Sequence, residues 1–306
     1  MFTDMLKSVK NCFMAAAVLF SAAAVSTAQV RTIEHDYSAF DGINASNKFK
    51  VTVVFSENYS AKLTIDDALE SYVQCYVKGG QLYIGLDEKN IPKDLKKAYK
   101  GKNASEPTLN AVVNMPVLNS LTLSDEAAFM NTSTINSDNF TLTLNDETSI
   151  TNLSILAGKS ATLNVNKKAK LSSSSVKCDG DIALNGDGKA SVTVEFIGNN
   201  VTLNNAGSAE IAANGECKKL SVNTSGSSKT TVSGKAEGLV VNGKGGKVDA
   251  SALPVYDAAI AVTGSDVIVN AANTLELDLG RGAEITYSDE PVIKINKIQN
   301  ASVIRK

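Results

Sequence analysis

From Leu121 onward the chain alternates apolar and polar residues in short bursts, and the bursts recur. Each burst is an apolar residue, any residue, a second apolar residue and then a polar one, most often Asn. It reads Leu121-Thr122-Leu123-Ser124, Leu142-Thr143-Leu144-Asn145, Leu163-Asn164-Val165-Asn166, Ile182-Ala183-Leu184-Asn185 and Val201-Thr202-Leu203-Asn204. It continues as Leu220-Ser221-Val222-Asn223, Leu239-Val240-Val241-Asn242, Ile260-Ala261-Val262-Thr263 and Leu275-Glu276-Leu277-Asp278. The first positions are 21, 21, 19, 19, 19, 19, 21 and 15 residues apart. Within each burst the apolar period is two, which belongs to strands and not to helices. A second apolar or small segment follows in each copy, as at Ile150, Leu171, Val192, Ile211 and Val267. A third, weaker one precedes the next copy, near Ile135, Ile155, Val176 and Phe196. Two or three short strands per repeat of about 20 residues predict one coil of a β-helix. The predicted fold is therefore all-β, a parallel, right-handed β-helix or solenoid. A leucine-rich repeat would need a fixed run of leucines and a helix or tight turn on its back, and that run is absent.

The Asn that ends the burst recurs at Asn145, Asn166, Asn185, Asn204, Asn223 and Asn242. Stacked coils lie about 4.8 Å apart, so eight steps predict a stack on the order of 40 Å. Identical amides at one place in successive coils can hydrogen-bond up the stack as a ladder. Asn also tolerates the left-handed backbone of a sharp corner, so these six residues are expected to form a structural ladder at a corner.

Residues 29–110 carry a different rhythm and predict a strand-rich N-terminal section. Runs at Phe49–Phe55, Ala61–Ile65 and Tyr72–Val77 read as strands, and Gly79-Gly80 turns tightly into Gln81–Leu86. Residues 88–106 interrupt the strands with Lys89, Lys93, Lys96, Lys97, Lys100 and Lys102, and Pro92 and Pro107 stand at the edges. Asp94 to Lys100 suits one or two helical turns. Only Tyr99 offers an aromatic ring beside these lysines, so the segment reads as a solvated loop and not as a basic binding patch. Residues 111–290 form the repeats. A stack of like coils has two raw ends that need covering, and residues 291–306 suit a C-terminal capping strand and tail.

Composition narrows the function. The 306 residues are 43% hydrophobic and 20% charged, as in a folded protein, but only 6% aromatic with no Trp. A net charge of -2 gives no general attraction to nucleic acid. Lys7 and Lys10, the apolar run Cys12–Phe20 and the small residues Ser26-Thr27-Ala28 read as a signal peptide, residues 1–28, cleaved before Gln29. The rest of the chain holds no second long apolar run, so no integral membrane segment is expected after cleavage. Export to the periplasm, outer surface or medium follows. Cys75, Cys178 and Cys217 remain, an odd number that argues against a disulfide framework.

The chemistry sought in the chain is sparse. The single histidine, His35, sits just after the signal on a predicted flexible arm, which suits neither a triad nor a zinc site. The nearest thing to a site is an acidic corner, Asp125-Glu126 beside Asp146-Glu147 at equivalent places in adjacent coils. Such carboxylates can bind calcium or act as an acid–base pair. Lys167-Lys168 in the next copy favours a charge-compensated stripe instead. No catalytic residue, metal site or cofactor is assigned.

Phe40-Asp41-Gly42-Ile43-Asn44, Phe49-Lys50-Val51-Thr52-Val53 and Gly80-Gln81-Leu82-Tyr83-Ile84 resemble the head GIN domain of putative auto-transporter adhesins, a family common in Bacteroidetes. Pro116–Ser124 is similar to that family's entry into its repeats, and the likeness spans roughly residues 40–290. The resemblance implies export, a β-helical solenoid and an adhesive or surface role, and it supplies no catalytic residues. The chain ends Val303-Ile304-Arg305-Lys306 without the alternating strands of a membrane barrel, so the transport mechanism in the family's name is not expected here. The expected function is a non-enzymatic binding solenoid that lays a flat strand face against a glycan or protein. The alternative is a carbohydrate-active enzyme on the same fold, a polysaccharide lyase or hydrolase. Converging carboxylates in a cleft would mark the enzyme. A smooth face of regular Thr, Ser and Asn would mark the binder.

Overall fold

The computed structural model describes residues 29–99, 106–131 and 133–306. The predicted signal peptide, and Lys100 and Lys102 of the lysine-rich interruption, lie outside the described residues. Over the described residues the protein is all-β, 69% strand and 4% helix, with parallel coils stacked into a solenoid of about nine turns.

The chain opens with β1 (Val30–Asp36), β2 (Gly42–Ala45), β3 (Lys50–Phe55) and β4 (Ser60–Asp66). A 3-10 turn over Asp67–Tyr72 leads to β5 (Val73–Lys78), β6 (Gln81–Leu86), the helix α1 (Lys93–Ala98) and β7 (Leu109–Met115). The coils continue through β8 (Ser120–Leu123), β9 (Ala128–Phe129), β10 (Ile135–Leu144), β11 (Ser149–Thr151), β12 (Ser154–Val165) and β13 (Lys170–Cys178). Then come β14 (Asp181–Gly186), β15 (Ser191–Ile197), β16 (Asn200–Asn205), β17 (Glu210–Thr263), β18 (Asp266–Leu279), β19 (Glu284–Ser288), β20 (Val292–Ile298) and β21 (Ser302–Arg305). Some corners stay extended, so a long strand such as β17 wraps more than one coil.

Each full coil has three faces. The first carries the repeated burst, in the parallel order β6-β2-β8-β10-β12-β14-β16-β17. The second runs through β11, β13 and β15 into β17. The third stacks Ile155 on Ile135 and Val176 on Ile155. Alternation sends one set of side chains inward on every coil. Leu121, Leu142, Leu163, Leu184, Leu203 and Val222 stand directly over one another, each almost wholly buried. Burying one such side chain contributes about 1.5–3 kcal/mol, and the repeat multiplies that term.

Two registers differ from the spacing read in the sequence. Leu163 pairs with Leu184, not Ile182, and Ile260 pairs with Leu277, not Leu275. Each difference is two residues. A slip of two leaves every side chain on its own face, so apolar alternation cannot detect it. The change of coil length is absorbed at corners. The step between partners falls across the break between Leu171 and Ser174, where Ser173 adopts a left-handed φ of 49°.

The N-terminal section contains true coils. β2 and β3 form one beneath β8 and β9, and β6 and β7 form the next outward. The chain thus lays down β2–β3, steps outward to β6–β7, and returns over β2 to continue as β8. Antiparallel strands close this end: β5 on β6, β4 on β7, and β1 on β4. His35 lies on β1 opposite Ala61 and not on a flexible arm, because β4 offers β1 an open edge to pair with. At the other end β20 pairs with β18 and β21 with β19.

Candidate functional site

The outer surface of the first face is built from positions that alternate with the buried leucines. One row follows the register from Tyr76 to Tyr83, Asn44, Thr122, Thr143, Asn164, Asn185, Asn204 and Asn223. Its amides are bonded rung to rung. Asn164 donates to Thr143 Oγ1 at 3.3 Å, and Asn185 to Asn164 at 2.7 Å. Asn204 donates to Asn185 at 2.7 Å, Asn223 to Asn204 at 2.8 Å, and Asn242 to Asn223 at 3.1 Å.

This geometry corrects the expected ladder in two respects. Asn185 stands on Asn164, while Asn166 donates to Asn145 at 3.0 Å in a separate short row. The long row also lies on the flat face, not at the corner. The left-handed residues follow the burst: Asp146 and Lys167 turn the corner at φ 62° and 60°, one residue beyond Asn145 and Asn166. The two-residue slip explains both differences, since it exchanges Asn164 for Asn166 without moving any apolar residue off the core.

A second row beside the first reads Gln81, Gly42, Ser120, Thr141, Thr162, Ala183, Thr202 and Ser221. Gln81 Nε2 donates to Ser120 Oγ at 2.8 Å, passing over Gly42, where any Cβ would collide with both side chains. Neither row holds a charged residue along these stretches, in a chain that is 20% charged. At the N-terminal end of the first row Tyr76 and Tyr83 stack, with ring centroids 5.2 Å apart and planes inclined by 13°. Tyr76 is 45% exposed.

The acidic corner lies where the first face turns into the second. Asp125, Glu126, Asp146 and Lys167 all have left-handed backbones, and the coils beyond use Gly188, Gly207 and Gly226 at the same bend. Lys168 Nζ meets Glu147 at 2.6 Å, Lys167 meets Asp146 at 2.5 Å, and Lys48 meets Glu126 at 3.3 Å. The hydrogen bond from Lys168, and then its charge, hold the Glu147 carboxyl below its ordinary range. The hydrogen bond to Asp146, and then its charge, raise Lys167, and those of Glu147 raise Lys168. Lys167 and Lys168 thus stand one coil above Asp146 and Glu147, and Lys48 one coil below Glu126, each neutralising the carboxylate it meets. Among the described residues no group of three or more His, Cys, Asp or Glu side chains is placed to hold a metal ion.

Beside this corner a groove of about 800 Å³ opens beneath α1, a feature the sequence reading did not anticipate. Leu69, Ile91 and Leu109 form its apolar floor, and Lys96, Tyr99 and Glu106 its outer wall. Burial, followed by the nearby Asp66 carboxylate, pushes the Tyr99 hydroxyl up. Asp66 is itself buried and accepts the Thr108 N–H at 3.2 Å. The groove forms where the 3-10 turn at Leu69 and the segment 87–99 with α1 close over the N-terminal coils beside the corner, a long-range event with no periodic signature. Glu106, Glu126, Asp146 and Glu147 on its rim each pair with a lysine, and Glu88 accepts from Asn47.

The family model described as "Putative auto-transporter adhesin, head GIN domain" matches residues 39–190 and again 180–291. No curated protein matches the chain. A solved structure from Parabacteroides distasonis, described as a putative lipid binding protein, is 19% identical. Its alignment covers 90% of this chain and 96% of its own, with a TM-score of 0.43. A putative adhesin from Parabacteroides merdae is 18% identical over 91% of this chain and 96% of its own, with a TM-score of 0.43.

Proposed function

The chain belongs to the head GIN domain family of putative auto-transporter adhesins, and from that premise we propose that it is an exported, non-enzymatic, adhesin-like protein that presents its first face to a glycan or protein ligand. One observation carries this reading: two uncharged rows of Thr, Ser and Asn lie flat along successive coils, with the amides held in a hydrogen-bonded ladder. Side chains already fixed in the free protein lose little entropy on binding, which favours recognition over a wide, shallow surface. The lysine pairs at Glu126, Asp146 and Glu147 support a structural role for the corner to which Asp125 also belongs.

The test uses the chain from Gln29 onward against immobilised glycans and extracellular matrix proteins. A double change, Thr202→Arg with Asn204→Arg, places charge on the face without touching the core. The expected result is retained folding by circular dichroism and lost binding. Unchanged binding by this variant would overturn the reading. Asp125→Ala with Asp146→Ala is expected to leave binding intact. A glycan-degradation assay in which the wild type turns over substrate and this second variant does not would establish the carbohydrate-active enzyme instead.

A further inference from the structure

We propose that the ligand is a neutral polysaccharide lying along the stack axis, with one of its sugar rings seated on the Tyr76–Tyr83 pair. This deepens the reading of the first face and rests on it. The argument starts from what the two rows leave unsatisfied. Each ladder amide, as at Asn185, spends one N–H and one lone pair on its neighbours. That leaves one donor and one acceptor site per rung turned to solvent. The five amide rungs from Asn164 to Asn242 repeat about every 4.8 Å over roughly 20 Å, within a row on the order of 40 Å long. The neighbouring row adds hydroxyls at positions such as Thr162 and Thr202.

A surface so made recognises a chain that is itself regular and dense in hydroxyl groups. Neither row carries charge, and the flanking row Asn139, Ser160, Asp181, Asn200 and Lys219 carries one charge of each sign, so the face offers no net electrostatic capture. An acidic polysaccharide would lose the hydration of its carboxylates or sulfates and find only Lys219, opposed by Asp181, beside the rows. A protein partner would need apolar anchors, and the rows offer none between Tyr83 and Asn242. The aromatic pair sits at the end of the row, in register with it through Asn44. Stacked rings give a rigid amphipathic platform, and amides and hydroxyls beside it supply directional hydrogen bonds.

The experiment is affinity electrophoresis of the chain from Gln29 onward in gels containing a neutral galactomannan, xyloglucan or mixed-linkage β-glucan. Polygalacturonate and heparin form the acidic arm, and immobilised collagen and fibronectin the protein arm. Retardation by at least one neutral polymer is expected, together with a loss of about tenfold or more in the variant Tyr76→Ala with Tyr83→Ala. Affinity is expected to grow with oligosaccharide length up to the span of the face. Both side chains point outward, so the double variant should melt as the wild type does. Should it not fold, Tyr76→Ser alone, on the exposed ring, replaces it. No retardation by any neutral polymer, or stronger retardation by the acidic ones, overturns the proposal. If Thr202→Arg with Asn204→Arg abolishes binding while the tyrosine variant binds normally, the aromatic seat is wrong and the face reading stands. If only collagen or fibronectin binds, and does so through the face, the polysaccharide class is wrong and the face reading again stands. Binding insensitive to both variants overturns both.

Discussion

At the corner between the first and second faces the backbone bends through a left-handed residue in coil after coil. From Gly188 onward that residue is glycine, whereas Asp125, Glu126, Asp146 and Lys167 hold it in the early coils. A side chain in that conformation costs about 1–2 kcal/mol relative to glycine. Glu126→Gly is therefore expected to raise stability by about 1 kcal/mol in chemical denaturation, less whatever the exposed Lys48–Glu126 pair contributes. Glycine is required for another reason at Gly215, where a Cβ would collide with the Phe196 carbonyl oxygen. Gly215→Ala is expected to be more damaging than Gly42→Ala, because the obstacle at Gly42 is the mobile tip of Gln81 and at Gly215 it is backbone. Matched denaturation curves of the two variants check this. The thiols give a pH test. Burial raises Cys75 and Cys178 and pushes Cys217 from 9.0 to about 11. The native state keeps its proton where the unfolded state has lost it. The stability these thiols contribute is whole below the ordinary thiol pKa and falls as pH rises from 9.0 through about 11. Alkylation by iodoacetamide at pH 8 is expected to be much slower in the folded protein than in urea, and equal rates would contradict the burial.

At the scale of the element, alternation and register are separate specifications. The buried leucines fix which face each strand shows, and the corners set how far it slides. Asn164, Asn185 and Asn204 report the outcome, since each bonds to the next in the ladder. Asn185→Ala breaks two of those bonds at a half-buried site. It is expected to lower stability by about 1–2 kcal/mol, a net value per hydrogen bond near 1 kcal/mol. An equal loss from Asn166→Ala would show that the short row with Asn145 matters as much. One extra residue placed inside β16 would turn Leu203 outward and the ladder inward, so it is expected to unfold the coil. Two extra residues beside Ser173, where the register already shifts, should be tolerated. Limited proteolysis of the two insertion variants separates these outcomes.

Across the whole molecule the two ends of the stack are finished differently. At the N-terminal end antiparallel β5, β4 and β1 close the edges. At the C-terminal end the last coil is itself the cover. Ile293 and Ile295 pair with Leu275 and Leu277, which are fully buried, yet they are 38% and 58% exposed. Lys294 and Lys297 on β20 keep that edge from inviting another strand. Truncation after Pro291 would uncover Leu275, Leu277 and Leu279. It is expected to lower the melting temperature and drive association visible by size-exclusion chromatography. A monomeric, equally stable truncated chain would show that β20 and β21 do not protect the core.

The sequence alone determined the class of fold and the inner and outer faces of the strands from Leu121 to Leu277. It did so because burial repeats every second residue and every coil, and both periods are local. The resemblance carried by Gly42-Ile43-Asn44 and its companions pointed to the family on the same basis. What only the tertiary structure decided is which coil rests on which residue. Asn164 joins Asn185, the strands of residues 42–115 stack out of chain order, and Tyr76 and Tyr83 arrive at the head of a row of distant asparagines. These outcomes depend on contacts between segments far apart in the chain. A shift of two residues, or a reordered coil, leaves the alternation that the sequence displays unchanged.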